Sequence, residues 1–239
     1  VLGRAVQSVL IQDYPRIELY IADDHSDFFN EYSLLKMIEK EKGENLESVI
    51  IRRNPINLGT VKNIKSAVES IKGDFYITLG ADDAFFSETV ISDFMSVCQV
   101  HPDAQWMCGK AAMTSPDLKT IYRYFPEADD IPFLEERNAE NLFSRWCRKS
   151  FVVTPAMCFK KGLMDQVGGY DDKSYRYMED WPLILRLLRK GIMPYYINTV
   201  VLSHSMNGIS NNNGENGIKI RKTFLEEKYH MFRTEVDPY

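Results

Sequence analysis

Two pairs of neighbouring carboxylates follow short apolar runs, and a third pair opens a helical pattern. Asp82-Asp83 come just after Phe75-Tyr76-Ile77-Thr78-Leu79, Asp23-Asp24 close the run Ile17 to Ala22, and Glu179-Asp180 precede Trp181. Carboxylates in such places can accept protons, accept hydrogen bonds from N–H groups, or hold hard cations through oxygen. Each pair also has a bland explanation. Asp82-Asp83 suit a turn capping the helix near Ser87, and Asp23-Asp24 with Ser26 suit an Asx-type turn. Glu179-Asp180 suit the positive end of a helix dipole. His204 is a lone histidine, and Arg53 is equally natural as a solvated charge at a strand end.

The elements that would position these residues alternate between two periodicities. Val1 to Gln12 carries Val6, Val9 and Leu10 at helical spacing and breaks at Tyr14-Pro15. Ile17 to Ala22 predicts a strand, Tyr32 to Lys42 a helix with Leu34, Leu35 and Ile38 on one face, and Val49 to Ile51 a strand. The loop Asn54-Pro55-Ile56-Asn57-Leu58-Gly59 leads to a helix capped by Thr60 and ending at Lys72-Gly73. The strand of residues 75–79 and a helix from Ser87 to Gln99 follow. Strand, helix, strand, helix with short connections predicts parallel strands with crossover helices, hence an α/β sheet. Ligands of open sheets of this kind collect at the carboxyl ends of the strands, so the two Asp pairs are expected to face one crevice.

The second half is less regular, with helices expected over Ala139 to Lys149 and Met178 to Lys190. The latter has Trp181, Ile184, Leu185 and Leu188 on one face, Pro182 in its first turn and Gly191 after its end. Asn207 to Gly217 reads as an Asn/Gly-rich loop. No repeat or linker divides the 239 residues, so one domain is expected. Its more regular half covers about 1–100, its less regular half about 101–210 and a helical tail about 215–239.

The balance of 29 basic and 34 acidic residues argues against a general nucleic-acid binder. No apolar run reaches the roughly 18 residues needed to span a bilayer. Cys98, Cys108, Cys147 and Cys158 lack CxxC spacing and suit reduced core thiols, which favours a cytoplasmic setting.

Four stretches in order resemble the family 2 glycosyltransferases, inverting enzymes of the GT-A fold that use nucleotide sugars. "SVLIQDYPRIELYIADDHSDF" is similar to the family's helix, Gln-x-Tyr-Pro turn, strand and Asp-Asp-x-Ser. "RRNPINLGTVKNIKSAVESIKGDFYITLGADD" is similar to its Asn-x-Gly loop, helix and Asp-rich strand end. "VGGYDDKSYRYMEDWPLILRLLRKG" resembles its Gly-Gly-Tyr-Asp followed by a Glu-Asp helix, and "LSHSMNGIS" its late His-containing stretch. Two departures stand out. The family's opening strand ending near Pro-x-Tyr-Asn is not seen, so the expected fold is a mostly parallel GT-A sheet without that first strand. Gly80 stands where the family often has the first Asp of its acidic strand end.

The resemblance implies a nucleotide-binding half over about 1–100, an acceptor-binding half over about 101–210, and roles for single residues. Asp83 would hold a divalent cation, Mn²⁺ or Mg²⁺, with His204 as a late ligand to metal or phosphate. Asp82 would contact ribose or a metal-bound water. Asp23 or Asp24 would accept the N–H of uracil, with Ser26, Arg53, Asn57 and Gly59 completing the nucleotide site. Asp180, with Glu179 beside it, would be the catalytic base. The implied enzyme is a hexosyl- or N-acetylhexosaminyltransferase. It would move a sugar from a UDP-linked donor to a glycan or lipid-linked acceptor in cell-envelope polysaccharide synthesis, touching the inner face of the membrane peripherally. Two rivals come from other classes. A metal-dependent sugar nucleotidyltransferase should carry a Gly-rich, Arg/Lys-bearing phosphate loop near its first strand, and none is visible. A non-catalytic glycan- or nucleotide-binding module should have lost Asp83 or Asp180, and both are present.

Overall fold

A computed structural model of the chain describes residues 1–206 and 215–238. Strand β1 (Ile17–Asp23) pairs in parallel with β2 (Leu46–Arg53), and the intervening helix α2 (Glu31–Glu41) is the crossover between them. Asn30 starts α2 by accepting the Ser33 N–H at 2.9 Å, which satisfies one free donor of the first turn. Helix α1 (Leu2–Leu10) joins α2 over this sheet, and Val6, Leu10, Ile21, Leu34 and Ile38 form a small core between them. Helix α3 (Thr60–Ser70) leads out of the loop after β2.

The larger sheet contains β3 (Phe75–Tyr76), β4 (Ala84–Phe85), β5 (Trp106–Thr114), β6 (Ile121–Phe125), β7 (Met157–Lys160) and β8 (Tyr195–Ser205). Its order is β3-β7-β5-β8-β4, with β6 paired to β5. Strand β5 is apolar and buried almost throughout, as a strand covered on both faces must be. Helices α4 (Val90–Val100), α5 (Ile131–Glu136), α6 (Ala139–Arg148), α7 (Trp181–Arg189) and α8 (Glu215–Met231) flank it. The main core packs Trp106, Trp146, Phe94, Phe151 and Phe159 with the apolar face of α7.

The α/β class and the flanking helices are as expected, but the pairing differs in two respects. Among the described residues β1–β2 and β5–β8 are parallel, while β3–β7, β5–β7, β4–β8 and β5–β6 are antiparallel. The two longest registers are the parallel ones, and the larger sheet adds antiparallel neighbours that the sequence does not mark, because hydrophobic periodicity reports which face a residue takes and not the direction of its neighbour. The strand expected over residues 75–79 pairs only at Phe75 and Tyr76. Asp82-Asp83 therefore lie on the turn into β4 and not at the end of a long parallel strand. Residues 207–214 of the predicted Asn/Gly loop lie outside the described residues, and α8 begins at Glu215.

Candidate active site

Register brings the first group together. In the antiparallel pair, Ala84 faces Ser203 and Phe85 faces Leu202, so one step back sets Asp83 beside the end of β8. Asp83 is 2% exposed; it accepts the Ser205 N–H at 2.9 Å, and His204 Nδ1 lies 3.0 Å from its carboxylate. Burial works to lower the His204 pKa, but the hydrogen bond and charge of Asp83, with help from Asp82, hold it above its ordinary value. Burial and the Asp83 charge push Asp82 up. A Cβ added at Gly80 would lie 2.9 Å from Asp83 Oδ2 and 3.2 Å from Asp82 Oδ1, so both carboxylates use the space a side chain would need.

Asp83 and His204 are joined by a direct hydrogen bond, and with its proton removed His204 would offer a nitrogen donor beside the Asp83 oxygens. Their 3.0 Å separation fits neighbouring positions around an ion with bonds of about 2.1 Å. Among the described residues no three His, Cys, Asp or Glu side chains converge on such a point. A cation here would complete its shell with ligand oxygens or water, as Mg²⁺-like ions do. It would also displace the proton on His204, so its binding should release protons.

The second group is built at the ends of β1 and β2. Asp24 Oδ1 accepts from the Leu58 N–H at 2.8 Å and Asn54 Nδ2 at 2.9 Å, and Oδ2 accepts from the Gly59 N–H at 2.8 Å. Asn57 Nδ2 donates to the Asp24 carbonyl at 3.0 Å. Asp24 thus anchors the 57–59 loop. Asp23, 7% exposed, pairs with Arg53 Nε at 3.1 Å and caps the Ser26 N–H, while Arg53 Nη2 donates to the Ser26 carbonyl at 2.8 Å. Gly59 has φ +90°, and a Cβ there would lie 2.5 Å from Arg176 Cγ. Glycine is required on both counts.

The third group sits at the start of α7, which begins at Trp181 and not at Met178 as expected. Asp180 is its N-cap, accepting the Trp181 N–H at 2.7 Å through Oδ1 and the Thr154 hydroxyl at 2.6 Å through Oδ2. Glu179 lies just outside the helix. Burial of its carboxyl group, then the charges of Asp180 and Glu227, push its pKa up to about 8. At neutral pH Glu179 keeps its proton.

Several contributors are not among the residues that the sequence singles out. Arg176 donates to Asn57 Oδ1 at 2.6 Å, tying the loop of the second group to the segment leading into the third. Asn63 donates to the Ala22 carbonyl at 3.0 Å, and Thr154 fixes Asp180. Their sequence signals, a Ser/Thr before proline and an Asn within a helix, are too common to stand out. Trp146, Tyr175 and Tyr177 pack: Trp146 is fully buried and takes the Trp181 Nε1–H on its carbonyl at 2.9 Å, and Tyr177 stacks on Phe224. All four cysteines are free thiols, and burial pushes each one's pKa up.

This mixed sheet, with its separate parallel β1–β2 unit and a carboxylate–histidine pair at the β4–β8 end, is a GT-A fold. The chain belongs to glycosyl transferase family 2, whose sequence profile matches residues 1–150. Similar solved structures include S. aureus TarS, 14% identical with a TM-score of 0.60 over 98% of this chain and 41% of that one. TarS 1–349 in complex with UDP-GlcNAc gives 0.62 at 14% identity over 96% and 65%. The mannosyltransferase PcManGT from Pyrobaculum calidifontis in complex with GDP-Man and Mn²⁺ gives 0.66 at 14% identity over 97% and 60%. At this identity the likeness establishes the fold. The chain spans less than half the length of TarS. No curated protein sequence matches it. No described helix is long and apolar enough to cross a membrane.

Proposed function

We propose that the chain transfers a hexosyl or N-acetylhexosaminyl group from a UDP-linked donor to a glycan or lipid-linked acceptor, with inversion. The observation that carries this is the buried Asp83 carboxylate with His204 Nδ1 at 3.0 Å, inside a family 2 fold. Of the similar structures, TarS 1–349 is complexed with UDP-GlcNAc and PcManGT with GDP-Man and Mn²⁺. The acceptor belongs to the cell envelope on this proposal, and the enzyme works in the cytoplasm with peripheral contact to the membrane.

Asp83 and His204 would hold a divalent cation, Mn²⁺ or Mg²⁺, which supplies positive charge where the leaving diphosphate becomes more negative. Asp82 would contact ribose or a metal-bound water. Asp24 shapes the loop that the donor meets, and Asn57 and Gly59 line it. Asp23, held by Arg53 and Ser26, is the base-reading carboxylate of the pair, because Asp24 is already taken up by loop amides. Asp180 takes the proton of the acceptor hydroxyl, held for that purpose by Thr154 and the Trp181 N–H. Glu179, still protonated at neutral pH, is suited to donate a hydrogen bond to the acceptor and not to act as base.

Donor discrimination tests the proposal. A carboxylate placed for the uracil N–H rejects bases that leave it unpaired. Calorimetry with Mn²⁺ should find UDP bound at least about tenfold more tightly than CDP or ADP. Equal affinities would remove Asp23 from base recognition. Pyrophosphate release from a nucleoside triphosphate and a sugar 1-phosphate, without turnover of any nucleotide sugar, would favour the nucleotidyltransferase instead.

A further inference from the structure

We infer that Glu227, on α8, is a positioning residue that joins the base segment to the donor loop through three consecutive backbone amides. This rests on the roles proposed above for Asp180 and the 57–59 loop. Glu227 is 5% exposed and lies about fifty residues beyond the segment it holds. Its Oε1 accepts the Arg176 N–H at 2.6 Å, and its Oε2 accepts the Tyr177 and Met178 N–H groups at 3.1 and 2.9 Å. Such charge-assisted bonds are short and strong, and they take up a buried carboxylate that would otherwise be costly.

Residues 176–180 belong to no helix or strand, so no ladder sets their position. On one side, the held segment runs directly into Glu179 and Asp180. On the other, the Arg176 carbonyl accepts the Val61 N–H at 3.1 Å at the start of α3. The Arg176 guanidinium donates to Asn57 Oδ1 at 2.6 Å and to the Asn57 and Leu58 carbonyls at 3.3 Å. One carboxylate therefore aligns both the cap of α7 and the loop that Asp24 anchors. Ring contacts hold α8 in place for this: Tyr177 on Phe224 with centroids 5.5 Å apart, Tyr175 on His230 at 5.5 Å, and Lys228 over Trp181 at 5.1 Å. A helix that served only to cover the core would need an apolar residue at this buried position and not a carboxylate aimed at three amides.

Hydrogen exchange on the free protein, combined with donor kinetics, tests the bridge. In Glu227→Ala the amides of 176–178 and of 57–61 should exchange at least about tenfold faster, while those of β5 and β8 keep their protection. Turnover should fall by about 10²-fold, the loss typical of a small misplacement of catalytic groups, with a smaller change in donor KM. Glu227→Gln keeps one accepting oxygen and should recover part of both, and it is the variant to read if the alanine protein does not fold. Arg176→Ala should loosen 57–59 and leave the Tyr177 and Met178 amides protected. Lys222→Ala, on the exposed face of α8, should change nothing. Unchanged protection of 57–61 in Glu227→Ala or Glu227→Gln overturns the bridge, as does loss of protection spread evenly over the core. Exchange is read without substrate, so the two failures are separable. A parent protein that turns over no nucleotide sugar would count against the transferase assignment, while the exchange pattern would still decide whether Glu227 bridges the two segments.

Discussion

Replacing Asp180 by Asn is expected to lower sugar transfer by about 10²–10⁴-fold and to leave UDP binding within about twofold of the parent. The expectation comes from what the residue does locally. Asp180 caps α7 through Oδ1, and Asn caps nearly as well, so the helix and its apolar face stay in place. The Thr154 hydroxyl, 2.6 Å from Oδ2, can turn to accept from the amide that replaces that oxygen. What disappears is the basic oxygen. A folded Asn protein with parent activity would show that Asp180 is only a cap, and one that loses UDP binding would move it into the donor site. Glu179 gives a second handle, because its carboxyl keeps its proton until the pH passes about 8. Its folded pKa is raised, so the stability it contributes is present at low pH and is lost as the pH rises through that value.

Asp83→Asn should weaken UDP binding in the presence of Mn²⁺ by at least about tenfold and bring it to the metal-free level. On the proposed assignment Asp83 and His204 are the cation's two protein ligands, so loss of one charged oxygen should remove much of its hold. The substitution also turns an amide N–H₂ towards the Ser205 N–H or His204, leaving a buried group poorly matched at a cost of about 1–3 kcal/mol. For a domain of this size each kcal/mol corresponds to about 2–4 °C in Tm, so a melting curve separates loss of folding from loss of binding. Full metal-dependent UDP affinity in a folded Asn protein would overturn the assignment of Asp83.

Much of the site was legible because its residues sit at boundaries that periodicity marks. Asp23-Asp24 end a short apolar run, and β1 does end at Asp23. Asp180 precedes a clear amphipathic helix and is its N-cap. The cap expected at Thr60 falls one residue earlier: Gly59 is the N-cap of α3, with the positive φ that glycine tolerates, and Thr60 is its first residue. Strand direction was not legible, since alternation is the same in parallel and antiparallel neighbours; that is why β4 against β8 was missed. The pairing that sets His204 beside Asp83 spans 121 residues and depends on this register. Contacts such as Thr154 to Asp180 and Glu227 to 176–178 join residues whose types are common everywhere, so only the folded geometry singles them out.

The most direct test of single-displacement transfer is the configuration of the first product. Proton NMR of an α-linked UDP-sugar turned over with Mn²⁺, with water or a sugar as acceptor, reads the anomeric centre before it equilibrates. A single in-line attack assisted by Asp180 predicts a β-configured product at the earliest times. An α-configured first product would contradict it.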